Sequence, residues 1–261
     1  SVRHTYCRCP RLAFYNYRLN RASTGKNFPI LFGSAYHNFR EILELLYMKY
    51  VLEQNEDLED LKQALYIAAF KQATEGWEDP PLEHKHAHLD YARLEKTCKS
   101  AFESWLNEKR QGYYKVIATE AAFEIPLPSG RIFSGLIDQQ IEWNGRLWIR
   151  DFKTTSRKED FTKKFNPSHQ FTGYVWAAQH LSGRRVEGVI IENVYNTKTK
   201  GPEFIPTLAS RTTADIDHWL EWIEHVYDRW EESVEKEFWP MYTSACGDFG
   251  GCFFREACNS G

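Results

Sequence analysis

The stretch that decides the fold is residues 131–155, RIFSGLIDQQIEWNGRLWIRDFKTT, in which Asn144-Gly145 separates two runs rich in β-branched and aromatic residues. Asn-Gly between such runs is a strong hairpin signal, because both central residues of the turn need a positive φ. A two-residue turn fixes the register, and counting outward from it places Asp138 opposite Asp151. We therefore predict two carboxylates on one face of an antiparallel pair, with Cβ atoms roughly 5 Å apart.

Two opposed carboxylates repel each other, so a sheet gains from this pair only where a cation joins them. A hard divalent cation such as Mg²⁺ or Mn²⁺ is the natural occupant. Lys153 lies two residues beyond Asp151 and points the same way, because strand side chains alternate. The set suits hydrolysis of a phosphodiester, with Lys153 stabilising developing charge or positioning the attacking water. The alternative is an exposed hairpin with a chance pair of solvated acids.

The remaining pattern is helical first and mixed afterwards. Helices are predicted over residues 31–54, 58–76, 88–110, 166–181 and 212–237, and strands over residues 116–126, 131–143, 146–154, 186–195 and 203–208. The tail to residue 261 is Gly- and Cys-rich and is predicted to be a loop. We expect an α/β fold with a small mixed sheet flanked by helices. We expect one domain, residues 1–261, divided into an N-terminal segment (1–30), a helical part (31–115), a core (116–210) and a C-terminal helix with the cysteine tail (211–261).

The net charge of −3 gives the chain no global attraction to nucleic acid, so DNA affinity needs a local basic patch. The candidate patch is Arg157, Lys158, Lys163 and Lys164, with a solvated loop of mixed charge as the alternative. No apolar run is long enough to cross a membrane and no leader peptide is visible, so we expect a reducing, cytoplasmic location. Six cysteines there favour metal binding or free thiols over disulfides.

Three cysteines recur at regular spacing in the tail: Cys246, Cys252 and Cys258. Near the other end, Cys9 or Cys7 can complete a set of four thiolates, enough for one [4Fe–4S] cluster or one structural zinc. Zinc sites usually contain a closely spaced cysteine pair, which the tail lacks, so the spacing favours the cluster. Cys98, within a predicted helix, is expected to be a small core residue.

The motifs resemble those of the RecB-like branch of the PD-(D/E)XK nucleases, which includes CRISPR-associated adaptation nucleases and many phage exonucleases. Residues 32–37 (FGSAYH) are similar to the family's first motif, residues 135–138 (GLID) to its second and residues 151–155 (DFKTT) to its third. Residues 170–174 (QFTGY) resemble its Gln-x-x-x-Tyr motif. The four matches follow the family's order along the chain.

The resemblance implies a restriction-endonuclease-like core that cuts DNA with Mg²⁺ or Mn²⁺. The implied metal ligands are His37, Asp138, Asp151 and the backbone carbonyl of Phe152. Catalytic roles are implied for both aspartates and for Lys153, Glu120, Gln170 and Tyr174. Each role has an alternative: His37 as an ordinary helix histidine, Glu120 as a solvated acid on a strand, and the Gln170–Tyr174 pair as local packing on one helix face.

The resemblance also implies a [4Fe–4S] cluster held by Cys9, Cys246, Cys252 and Cys258. It favours Cys9 over Cys7 because the family's first cysteine precedes a proline and a basic residue. We expect exonuclease action on linear single- or double-stranded DNA, alongside other DNA-processing proteins. The alternatives are a structure-specific endonuclease, a non-cutting DNA-binding subunit of a processing complex and a zinc-stabilised interaction module.

Overall fold

A computed structural model describes residues 2–21, 26–155, 165–166 and 168–259. Its internal contacts divide the chain into two compact units. The sheet unit is Asn27–Ile216, and the terminal unit combines Ser1–Lys26 with Asp217–Gly261. The predicted four-part domain division stays a prediction. The candidate basic patch and Pro167 lie outside the described residues.

The sheet unit contains a five-stranded sheet in the order β1-β2-β3-β4-β5. The strands are β1 (Lys115–Pro126), β2 (Ile132–Trp143), β3 (Arg146–Thr155), β4 (Val186–Tyr195) and β5 (Glu203–Ser210). Neighbouring strands are antiparallel except β3 and β4, which run parallel. Parallel neighbours need a crossover, and the chain between these two strands supplies a helix. The predicted small mixed sheet flanked by helices is confirmed.

The described helices, in chain order, are α1 (Val2–Arg8), α2 (Pro10–Ala13), α3 (Phe28–Tyr47), α4 (Leu58–Ala73), α5 (Tyr91–Gln111), α6 (His169–Ser182), α7 (Thr213–Glu235) and α8 (Arg255–Asn259). Wider π-helical turns continue α2 over Phe14–Arg18 and α3 over Met48–Glu53. Helix α3 begins before the predicted residue 31, because the Asn27 side chain accepts a hydrogen bond from the Ile30 amide and a proline occupies the first turn. No helix among these has both the length and the apolar character to cross a bilayer.

The β2–β3 hairpin has the predicted turn. Asn144 and Gly145 have φ values of 51° and 71°. Residues 139–143 pair with residues 146–150 in the predicted register. Asp138 and Asp151 stand one step beyond the last pair, where β2 ceases to pair with β3. They therefore adjoin each other at the point where the two strands part, rather than as members of the ladder.

The helical layer packs on the sheet through a continuous apolar core. Helices α3, α4 and α5 meet there, together with Phe152 of β3 and Val194 of β4. The largest buried side chains of this layer include Trp105, Tyr36 and Phe39. Gly33 lets α3 approach β3, since a Cβ at this position would lie 3.1 Å from Thr154 Oγ1. The core thus places the helix that carries His37 beside the strand that carries Asp151.

The tail departs from its predicted loop structure. It forms a 3₁₀ segment, Thr243–Gly250, and then helix α8. Tertiary contacts hold these short elements: the ring of Phe254 stacks on Tyr15 with centroids 5.0 Å apart. The Tyr15 hydroxyl donates to the Ala257 carbonyl at 3.2 Å. These contacts join residues that are far apart in the sequence. The tail elements they hold are short and carry no helical periodicity, so the sequence pattern did not predict them.

Candidate active site

His37 and Asp138 form one half of the site. His37 Nδ1 lies 3.1 Å from Asp138 Oδ2, which also accepts a hydrogen bond from the Phe152 amide at 3.0 Å. Burial alone would raise the pKa of Asp138, but the hydrogen bond and charge of His37, with the charge of Lys153, hold it below its usual value. The same contact raises the pKa of His37 against the opposing effect of burial. A single carboxylate thus links α3, β2 and β3.

Asp151 and Lys153 form the other half. Asp151 is 0% exposed, and Lys153 Nζ lies 2.5 Å from its Oδ2. Within the described part of the chain, Asp151 Oδ1 has no hydrogen-bond partner. Burial raises the pKa of Asp151 to about 6 despite the nearby ammonium of Lys153. A buried carboxylate oxygen without a partner is costly and is characteristic of a position prepared for a ligand.

Glu120 adds a third acid. Its neighbours Thr119 and Ala121 pair with Gln139 and Ile137, so Glu120 lies across the strand pair from Asp138. Its φ of 45° is unusual for a residue with a side chain, and such strain is concentrated at functional positions. Burial, followed by the charge of Asp138, raises the pKa of Glu120 to about 7.

Glu41 is a fourth acid that the sequence reasoning missed. It follows His37 by four residues on α3, a spacing that places both on one helix face. Burial and the charge of Asp138 raise the pKa of Glu41, and its own charge raises that of Glu120. The four-residue spacing after a candidate ligand histidine was the signal that could have identified it.

Gln170 and Tyr174 lie on the first two turns of α6, and their side chains meet. Gln170 Nε2 donates to the Tyr174 hydroxyl at 3.1 Å. Burial raises the pKa of Tyr174, and its hydroxyl lies within electrostatic range of Lys153 and Asp151. The predicted pair is therefore adjacent to the carboxylates, with Gln170 exposed. Whether the pair contacts a substrate stays a prediction.

The residues at this site fit a hard divalent cation. Two carboxylates, an imidazole and a carboxylate oxygen without a partner match the oxygen and nitrogen donors that Mg²⁺ and Mn²⁺ accept. In the described ranges, no cluster of three or more His, Cys, Asp or Glu side chains stands in preformed ligand geometry. In this structure the His37 ring contacts Asp138 and the Lys153 ammonium contacts Asp151, so each carboxylate has a side-chain partner.

The predicted cluster cysteines come together in the terminal unit. One cavity is lined by Cys9, Cys246, Cys252 and Cys258, together with aromatic side chains that include Tyr15 and Phe254. The Tyr242 amide approaches Cys9 Sγ at 3.5 Å. Cys7 is exposed and is not among the residues that line the cavity. Cys98 is buried in the helical core, as predicted.

Comparison with known proteins agrees with this architecture. The family model described as the PD-(D/E)XK nuclease superfamily matches residues 1–259. Among solved structures, a candidate exonuclease from Eubacterium rectale superposes with a TM-score of 0.54 at 12% identity, covering 92% of this chain and 79% of that one. A second structure, that of SSO0001, has a TM-score of 0.36 at 10% identity, with 92% of this chain and 90% of that one covered. No curated protein sequence matches the chain.

Proposed function

Because this chain belongs to the PD-(D/E)XK nuclease superfamily, we propose that it hydrolyses DNA phosphodiesters with Mg²⁺ or Mn²⁺ at the site formed by His37, Asp138 and Asp151. One observation carries the proposal: the buried Oδ1 of Asp151 has no partner in the described residues, while Lys153 and the Asp138–His37 pair stand beside it. A buried carboxylate with a raised pKa beside a second acid is typical of a functional position.

Asp138, Asp151 and His37 would hold the cation, with the backbone carbonyl of Phe152 as a further ligand. When bound there, a cation would supply Lewis-acid stabilisation of the phosphate and would lower the pKa of the attacking water. Lys153 is cationic here, because the charges of Asp151 and Asp138 raise its pKa against the effect of burial. Its ammonium then stabilises the negative charge that develops on the phosphoryl oxygens.

The other polar residues position the substrate and the proton. Gln170 is exposed at the start of α6 and offers its amide to a phosphate or a base, with the Tyr174 hydroxyl fixing its orientation. Glu120, with its pKa of about 7, is suited to exchange a proton near neutral pH. Glu41 shares the face of His37 and adds negative charge on the same side.

We further propose exonuclease action on linear DNA, supported by the resemblance of the motifs to those of end-processing nucleases. The test compares linear single- and double-stranded DNA, labelled at the 5′ or 3′ end, with covalently closed circles of both kinds. Each substrate is incubated with Mg²⁺ or Mn²⁺ and with the intact protein, Asp151→Ala or the control Glu124→Ala. Glu124 is an exposed acid on the same strand as Glu120.

An exonuclease degrades the linear DNA only, and activity is retained in the control and lost in Asp151→Ala. Cutting of closed circles would instead identify a structure-specific endonuclease. No cutting of any substrate by the intact protein, together with DNA binding, would favour a non-cutting subunit of a processing complex. Partnership with other DNA-processing proteins and a cytoplasmic location stay predictions.

The cysteine cavity supports a second proposal, a [4Fe–4S] cluster held by Cys9, Cys246, Cys252 and Cys258. Four thiolates in one cavity are the ligand set of such a cluster. Its function would be structural, because it would join the N-terminal segment to the tail. Iron, sulfide and zinc analysis of anaerobically purified protein is the test: about four iron atoms per chain support the cluster, and a colourless, zinc-containing protein contradicts it.

A further inference from the structure

Two buried arginines lie near the ring of Phe152, the residue between Asp151 and Lys153 on β3. Arg40 and Arg150 are each only 2% exposed. Their guanidinium carbons lie 4.6 Å and 5.5 Å from the centroid of the Phe152 ring. Arg150 directly precedes Asp151 on β3, and Arg40 follows His37 by about one helical turn on α3.

Glu192 of β4 connects the two arginines. It is the cross-strand neighbour of Phe152 in the parallel β3–β4 pair. One of its carboxylate oxygens forms an ion pair with Arg150, and the other lies 3.8 Å from Arg40 Nη2. Arg150 has a second carboxylate partner, Glu108, at 3.0 Å. Among the described residues, Arg40 Nε and Nη2 make no hydrogen bond, so that guanidinium is compensated by nearby negative charge: the Glu192 carboxylate, together with the charges of Glu108 and Glu44.

Such a cluster is a poor source of stability. Removing guanidinium groups from water is costly, and apolar residues of similar size often stabilise a core more. The contacts of Phe152 suggest what the cluster does instead. Its amide donates to Asp138, its ring packs edge-on against His37 at 6.0 Å, and its carbonyl is a candidate ligand.

We propose that Glu192 is a positioning residue of the nuclease site: through Arg40 and Arg150 it fixes the Phe152 peptide, and thereby the placement of His37, Asp138 and Asp151 around the cation. The ion-pair partners of Glu192 are Arg40 and Arg150 rather than the proposed metal ligands. It acts through the two guanidinium groups, one on the helix of His37 and one on the strand of Asp151. The inference rests on the proposed function, because it assumes a divalent cation at that site.

The test compares Glu192→Gln with Glu44→Gln. Glu44 is the matched control, because it is a buried acid on α3 that accepts from Trp105 Nε1 at 2.9 Å and forms its ion pair with Lys109. Its charge also acts on Arg40, but its ion-pair partner is Lys109 rather than Arg40 or Arg150, so it tests whether the Glu192 bridge itself matters. Both substitutions leave a buried cation short of a partner, so both should lower the melting temperature. Only Glu192→Gln should weaken Mn²⁺ binding, by roughly 10-fold to 100-fold, as is usual when outer contacts of a metal site are lost.

Mn²⁺ binding is measured by electron paramagnetic resonance of the free ion, in the absence of DNA. At saturating Mn²⁺, Glu192→Gln should recover most of the kcat of the intact protein. The variant should differ instead in the Mn²⁺ concentration that half-maximal activity requires. Arg40→Lys is the second variant, in case Glu192→Gln does not fold. It keeps the charge but loses the planar group over Phe152, and it should weaken Mn²⁺ binding in the same direction.

Unchanged Mn²⁺ affinity in Glu192→Gln and in Arg40→Lys would overturn the inference, as would an equal loss in Glu44→Gln. Asp151→Ala in the same titration distinguishes a failure of the proposed metal site from a failure of the positioning role alone. If it binds Mn²⁺ as tightly as the intact protein, the proposed metal site itself is wrong. If it loses binding while Glu192→Gln does not, the nuclease proposal stands and only the positioning role fails.

Discussion

At the scale of single residues, the acids that suit the site to its proposed function lower the stability of the folded protein. Asp151 is buried with a carboxylate oxygen that has no hydrogen-bond partner in the described chain, and its raised pKa records the cost of ionising it there. Ionising Glu120 is also costly, as its raised pKa indicates, and its backbone has a positive φ. A bound divalent cation would relieve the electrostatic part of both costs. The metal-free protein should therefore be less stable than the loaded one, and by an amount that depends on pH.

We predict that the melting temperature of the metal-free protein falls from pH 5 to pH 8, while the rise produced by Mn²⁺ grows over the same range. The pKa of Asp151 is about 6 and that of Glu120 about 7, both above their ordinary values. A raised folded-state pKa contributes stability at low pH that is lost as the pH rises through it. His37, whose pKa is also raised, acts in the same direction.

Differential scanning fluorimetry with and without Mn²⁺ measures both trends. Glu120→Gln is the informative comparison, since it should flatten the part of the curve near pH 7 and leave the part near pH 6. A Mn²⁺ effect that is constant between pH 5 and pH 8 would contradict the assignment of Asp151 as a ligand, because a protonated carboxylate binds the cation poorly.

Lys153→Met should separate catalysis from metal binding. In this structure the Lys153 ammonium pairs with the Asp151 carboxylate. Removing the ammonium should therefore leave the affinity for Mn²⁺ unchanged or increase it. Loss of one charge-stabilising group at a reacting centre typically lowers kcat by roughly 100-fold to 1000-fold. Single-turnover cleavage and Mn²⁺ titration of the same preparation give both numbers, with Lys62→Met on α4 as the control. Parallel loss of metal binding would show that Lys153 has a structural role instead.

At the scale of elements, the hairpin could be predicted because its signal is local. Asn144-Gly145 specifies the turn, the turn specifies the register, and the observed pairing follows it through Gln139 and Arg150. The end of that pairing at Asp138 could not be predicted, because it depends on the Phe152 amide bonding to a side chain instead of to β2.

Contacts between distant parts of the chain account for the rest of what the sequence did not predict. The ion pairs from Arg40 and Arg150 to Glu192 join residues of three different elements. No spacing rule connects such residues. Similarly, α8 is too short for a periodic pattern, and its contacts with Tyr15 come from the opposite end of the chain.

Two glycines of the β2–β3 hairpin are required for different reasons. We therefore predict that a second substitution can restore stability lost at one of them but not at the other. At Gly135 a Cβ would lie 2.6 Å from Cζ of Phe123, a buried ring, so Gly135→Ala should destabilise by about 1–3 kcal/mol. At Gly145 the space is open but φ is 71°, so Gly145→Ala should cost about 1 kcal/mol through backbone strain.

Urea unfolding of the single and double variants tests this distinction. Adding Phe123→Leu should recover part of the stability that Gly135→Ala loses, because it removes the atoms that the new methyl group meets. The same substitution should only add to the loss in Gly145→Ala. Equal behaviour of the two glycine variants would show that steric contact is not the cause at Gly135.

At the scale of the whole molecule, the chain's ends share one unit while every candidate ligand of the divalent cation lies in the other. Contacts within the terminal unit bind the first residues to the last helices. Arg11 Nε donates to the Trp239 carbonyl at 2.8 Å, and the Tyr6 hydroxyl donates to the Arg229 carbonyl at 2.6 Å. A cluster between Cys9 and the tail would reinforce these contacts covalently.

Cys9→Ser and Cys7→Ser therefore form the decisive pair for the cluster. Cys9 is buried and lines the cavity with the three tail cysteines, whereas Cys7 is exposed and does not. Cys9→Ser should lose most of its iron, and hydrogen exchange should accelerate in peptides covering residues 3–21 and 241–259, because the link between them is gone. Peptides of β3 and the Mn²⁺ affinity should change little, since the ligands His37, Asp138 and Asp151 belong to the sheet unit. Cys7→Ser should keep its iron and its slow exchange; the reverse result would make Cys7 the ligand, and full iron in both variants would exclude a four-cysteine cluster built on either residue.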